Sequence, residues 1–243
     1  AWDSSQPLQR DIPMGQKIEI AVPDKSGKMN AYLATPSGQT KAGIVVIQEI
    51  LGVNPGIRAM TDSWAAKGYM AAAPDLFWRL KPNVELDADL PAQFQQGLDY
   101  MNKFDADKSI DDIKATIAAL RARGCKKVGV IGYCLGGRLA FLCATRTDSD
   151  ATAAYYGVGL DGLLGEKGKI RKPLLIHIAK QDKFVPAEAQ AKVHAALKGS
   201  PLVTIYDYDA DHAFARHTGS SRVPALADQA DARTAAFFAK HLA

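Results

Sequence analysis

The chain has little cysteine, little charge asymmetry and no long apolar run, and each shortage removes a class of protein. Only Cys125, Cys134 and Cys143 occur among 243 residues, none in a C-x-x-C pair. Three cannot all pair, and a chain of this length builds a core without disulfide staples, so a reducing compartment is its natural home. Charges or prolines interrupt every apolar run well short of the roughly 18 residues a membrane span needs. Thirty Lys and Arg against 26 Asp and Glu leave a formal charge of +4. Short basic clusters such as Lys126-Lys127 are too small for a nucleic-acid footprint. Walker A and H-x-x-x-H patterns are missing, so nucleoside triphosphate and zinc lack support, and no cofactor or metal is expected. Asp207-Tyr208-Asp209-Ala210-Asp211 starts like a calcium loop, but His212 stands where Gly is needed and Thr218 where Glu is needed. The terminus Ala1-Trp2-Asp3-Ser4-Ser5 has neither Met nor a charged-then-apolar leader, which leaves export open beside the expected cytoplasmic location.

What is present is ordinary for a globular protein, 47% hydrophobic and 23% charged, with no repeat or Gly/Ser linker to divide it. A single domain over 1–243 is expected, with 1–16 as an extended N-terminal segment, and a monomer. Strand-like runs are read at 17–22, 29–34, 43–48, 69–73, 127–131, 151–156, 173–179 and 202–208, the first two as a hairpin. Helical periodicity is read at 58–67, 92–104, 109–123, 135–145, 187–197 and 223–241. Ser109 and Asp112 suggest a capping box, and Gly124 a helix stop. This alternation predicts an α/β fold with a mostly parallel sheet covered by helices on both faces. Residues 80–91 read as a loop over a site. Ligands in such folds sit beyond the carboxyl ends of the strands, which directs attention to Glu49, Arg79, Cys134, Asp182 and His212.

The strongest local signal is Gly132-Tyr133-Cys134-Leu135-Gly136-Gly137 after an apolar strand. It is G-x-S-x-G with Cys for Ser, a strained strand-to-helix turn that needs small residues two before and two after the nucleophile. A lone G-x-C-x-G is more often a buried structural cysteine. Here Asp182 and His212 each follow a strand, in the order nucleophile, acid, histidine, and that combination reverses the odds. His177, inside a strand, reads as a packed core histidine.

With the elbow, Gln48-Glu49-Ile50-Leu51-Gly52-Val53-Asn54, Pro74-Asp75-Leu76-Phe77-Trp78-Arg79, Tyr155-Tyr156-Gly157-Val158-Gly159, Asp182-Lys183-Phe184-Val185-Pro186 and His212-Ala213-Phe214-Ala215-Arg216 all in order, the chain resembles the dienelactone hydrolase family over about 17–238. The resemblance implies an α/β-hydrolase fold and opening of a dienelactone ring to maleylacetate. It implies Cys134 as nucleophile, His212 as base, Asp182 as its orienter and Glu49 as a fourth member. Glu49 would rest on Arg216 until a substrate carboxylate displaces it and frees it to take the thiol proton. Backbone N–H groups of Leu135 and Ile50 would form an oxyanion hole, Arg79 and Arg216 would grip the carboxylate, and Tyr155 would line the pocket. Ala213 and Leu51 depart from the residues common in the family, which leaves the lactone or ester open. A broader carboxylesterase is the alternative. A non-catalytic scaffold would have no reason to hold all four site residues.

Overall fold

The run Gly43-Ile44-Val45-Val46-Ile47 carries apolar side chains on both faces and no charge, and it forms β3 (Gly43–Ile47), buried at every residue. The computed structural model describes residues 15–243. Around β3 lie β1 (Gln16–Ala21), β2 (Lys28–Ala34), β4 (Met70–Pro74), β5 (Val128–Tyr133), β6 (Ala151–Tyr155), β7 (Leu174–Ala179) and β8 (Val203–Tyr208), in the spatial order β1-β2-β4-β3-β5-β6-β7-β8. The β1–β2 hairpin is antiparallel and β2 pairs antiparallel with β4, while the strands from β4 through β8 run parallel. Of the segment expected to be extended over 1–16, residues 1–14 lie outside the described residues, and Gln16 already belongs to β1.

Strand alternation divides the core. Val45 and Ile47 face one side, against Ile113 and Ile117 of α3 (Ala106–Ala122) and Leu139 of α4 (Leu135–Arg146). Ile44 and Val46 face the other, against Ile57 and Trp64 of α1 (Pro55–Ala66) and Phe238 of α6 (Pro224–His241). Two further helices, α2 (Pro91–Lys103) and α5 (Ala187–Leu197), complete the cover. Among the described residues no helix is long and apolar enough to cross a membrane.

Local chemistry explains where these elements start. In α1, Pro55 at the first position needs no amide partner, and the Asn54 side chain accepts the Ile57 N–H at 3.1 Å. Helix α3 begins at Ala106, three residues before the expected start. Its cap is Asp105, whose carboxylate accepts the Lys108 N–H at 3.1 Å, and the hydroxyl of Ser109 instead donates to the Asp105 carbonyl. A 3-10 helix at Leu160–Lys169 was not expected. It opens at Gly157-Val158-Gly159-Leu160-Asp161-Gly162, which spells G-x-G-x-x-G after β6. A dinucleotide fingerprint requires an α-helix at that point. Here Gly157 serves close packing instead, since a Cβ on it would stand 2.9 Å from the Gly137 carbonyl carbon.

Candidate active site

Four strand ends supply the site. From β5 the chain turns directly into α4 through Cys134, which takes φ 60° and ψ −113°, a conformation that favours glycine. The turn is held from both sides: the Cys134 N–H donates to the Tyr155 carbonyl at 3.0 Å, and the Cys134 carbonyl accepts the Arg138 N–H at 3.1 Å. Gly136 makes room for it, because a Cβ there would stand 2.5 Å from the carbonyl oxygens of Ile47 and Gln48. The sulfur thus sits over the N-terminus of α4, where the helix dipole favours negative charge.

Asp182, beyond β7, and His212, beyond β8, meet over the elbow. His212 Nδ1 lies 2.6 Å from Asp182 Oδ2, and Asp182 Oδ1 accepts the Phe184 N–H at 2.8 Å. The imidazole is packed between Tyr156 and Phe184, at centroid distances of 5.2 and 4.9 Å. Burial alone would lower the His212 pKa, but the Cys134 sulfur and the Asp182 carboxylate together push it up to about 10. The imidazole is thus set between the Asp182 carboxylate and the Cys134 sulfur, a layout that can orient the ring and pass a proton beside a cysteine nucleophile.

Glu49, just past β3, completes the group. Its Oε2 accepts Arg216 Nε at 2.7 Å, with both side chains almost fully buried. Glu49 Oε1 has no hydrogen-bond partner among the described residues. Ile50 follows Glu49 and Leu135 opens α4, and among the described residues no carbonyl or side chain takes either N–H. Those two donors are open to a developing oxyanion. Beyond Arg216 lies a groove of about 420 Å³ whose walls include Leu51, Leu86, Gln93 and Thr218. The loop at 80–91 forms one side of it, tied to the sheet side by the Gly52–Glu85 bridge and to the opposite wall by Asp89, which accepts the Ser220 N–H and hydroxyl.

Two expected residues are not brought here. Arg79 lays its fork on Asp112 of α3 (Nε to Oδ2 3.1 Å, Nη2 to Oδ1 2.8 Å) and spends Nη1 on Asp24 and Ser26 of the hairpin turn. A buried carboxylate at Asp112, with no exposure of its side chain, needs that cation more than a substrate does. Arg79→Ala should therefore lower stability by about 2 kcal/mol and change kcat/KM for anionic and neutral esters in parallel. A selective loss on anionic substrates at unchanged Tm would restore it to the site. Tyr155 is fully buried and points into the α6 side, where its hydroxyl meets Asp231 and Thr234 at 2.8 and 2.7 Å. The tyrosine at the site is its neighbour Tyr156. Strand alternation carries that signal, since Tyr155 shares its face with Ala151 and Ala153.

The sequence profile of the dienelactone hydrolase family matches residues 29–242. The chain belongs to that family. Dienelactone hydrolases cleave ester and lactone bonds, and this chain is a hydrolase of that kind. A protein of Azospirillum brasilense provisionally named carboxymethylenebutenolidase is 47% identical over 233 residues, covering 92% of this chain and 99% of its own. The carboxymethylenebutenolidase of Pseudomonas putida is 37% identical over 213 residues, covering 86% and 90%. A crystal structure from Klebsiella pneumoniae, provisionally named dienelactone hydrolase, superimposes with a TM-score of 0.78 at 26% identity over 93% of this chain and 98% of that one.

Proposed function

We propose that this hydrolase opens small lactones and esters through a thioester on Cys134, with dienelactone, ring-opened to maleylacetate, as the reading its carboxymethylenebutenolidase relatives favour. The observation that carries it is the 2.6 Å contact between His212 Nδ1 and Asp182 Oδ2 beside a strained Cys134 elbow. The Cys134 sulfur attacks the carbonyl carbon, and the oxyanion is received by the N–H groups of Ile50 and Leu135. A substrate carboxylate that draws Arg216 away frees Glu49 to take the thiol proton. That proton leaves on the alcohol oxygen, so acylation ends with Glu49 ionised and His212 neutral. Water then hydrolyses the thioester with His212 as base, while Asp182 holds the imidazole in one tautomer.

The placement of Arg79 favours a second reading, a broader esterase, because only one of the two expected carboxylate-binding forks reaches the site. Arg216→Ala distinguishes them. A lost charge-assisted hydrogen bond is worth roughly ten- to a hundredfold, so kcat/KM for dienelactone should fall by that factor while 4-nitrophenyl acetate is hydrolysed at least as well as before. An equal fall on both substrates would make Arg216 structural and favour the broader esterase. Failure of the parent enzyme to hydrolyse dienelactone would remove the first reading outright.

A further inference from the structure

Two buried polar atoms at the site have no protein partner among the described residues: Glu49 Oε1 and the hydroxyl of Tyr156. Their residues are 3% and 2% exposed, so neither atom is compensated by bulk water. Burying such groups unpaired costs about 1 to 3 kcal/mol each, so each calls for a polar partner such as a water.

The position of Tyr156 is costly in itself. Its backbone has φ 36°, which a residue with a bulky side chain rarely adopts. Three contacts impose it. The Tyr156 N–H donates to the His177 carbonyl at 2.9 Å, and its ring lies against His212 at 5.2 Å and Phe214 at 5.6 Å. The preceding carbonyl, of Tyr155, holds the Cys134 N–H. The segment that fixes the nucleophile thus also aims a phenol beside the imidazole. Burial, with the charge of Glu49 nearby, pushes the Tyr156 pKa well above its usual value, so it is a hydroxyl donor at neutral pH.

We propose that Tyr156 and Glu49 are the anchors of the water that hydrolyses the thioester: one proton of that water bonds to Glu49 Oε1, the Tyr156 hydroxyl bonds to its oxygen, and its other proton faces His212. This rests on the thioester reading above and adds a second catalytic group for its second half. The water oxygen bonds to the acyl carbon as its proton passes to neutral His212. The tetrahedral adduct then expels sulfur, breaking the C–S bond, the product leaves as the acid, and the thiolate takes the proton back from the imidazolium, which restores the thiol and neutral His212. Acylation needs no water, so it makes no demand on the phenol.

The test is a partition experiment that does not depend on which step limits turnover. Parent and Tyr156→Phe proteins hydrolyse 4-nitrophenyl acetate in the presence of hydroxylamine, which captures the acyl group as hydroxamate without the water anchors. Release of 4-nitrophenol reports acylation at low substrate. Tyr156→Phe should keep that rate within about threefold and raise the ratio of hydroxamate to acetate about tenfold, the worth of one hydrogen bond in a buried site. Glu49→Gln, of the same shape, should move the ratio the same way and serves if Phe at 156 does not fold. An unchanged ratio in both folded variants overturns the proposal. If the parent forms no hydroxamate and no acetyl adduct on Cys134, the thioester reading itself falls.

Discussion

Cys134→Ala should fold and melt like the parent and retain less than about one thousandth of its activity, because deleting the nucleophile removes the covalent route and leaves only what binding and an oxyanion hole supply. The elbow already imposes a positive φ on a non-glycine residue, and alanine bears it no worse than cysteine does. Little packing is lost with a single sulfur. The other two thiols cannot substitute, since burial raises the pKa of both Cys125 and Cys143. Steady-state hydrolysis of an activated ester, with mass spectrometry for an acyl adduct, is the measurement. Retention of a tenth of the parent rate by well-folded Cys134→Ala protein would end the nucleophile assignment.

The largest effect on stability should come from Gly132→Ala, one methyl group two residues before the nucleophile. A Cβ on Gly132 would overlap the carbonyl of Gly136 in the first turn of α4. The collision is with backbone at the point where β5 enters α4, so no side-chain rotation relieves it, and the helix must lift from the sheet. A loss of about 3 kcal/mol or more follows from overpacking a rigid core. For a chain of this size that is a fall in Tm on the order of 10 °C. Gly162→Ala is the control, because a Cβ there meets nothing within 4 Å. Equal melting temperatures for the two variants would sink the packing argument.

How much could be read in advance depended on whether the deciding partner was local. The run 43–47 announced a buried strand by its composition, and it is β3. The G-x-C-x-G spacing announced the elbow because the demand on Gly132 is local, coming from Gly136 four residues on, whereas the demand on Gly136 comes from the distant carbonyls of Ile47 and Gln48 at the end of β3. Asp182 and His212 were found by their place after strands, and the structure joins them. Arg79 turns to Asp112 and Asp24, 33 and 55 residues away in sequence, and nothing in the motif around it refers to either. Tyr155 and Tyr156 are adjacent in one motif, so family resemblance cannot choose between them, whereas the alternation along β6 could have. The 3-10 helix at 160–169 escaped because Gly162, Gly165 and Gly168 hide its weak periodicity.

The spread of the site over the ends of β3, β5, β7 and β8 has a consequence for biosynthesis. Glu49 is made early and Arg216 almost last, with the thiol between them. While a ribosome is still adding residues 135 to 211, Cys134 exists without its imidazole and Glu49 without its arginine. During that interval the cysteine is an ordinary thiol, neither activated nor sheltered by a closed sheet. Hydrolytic competence therefore arrives in one step, when β8 docks on β7 and delivers His212 and Arg216 together. Gain of activity during translation or refolding is then a direct clock for the docking of that edge strand.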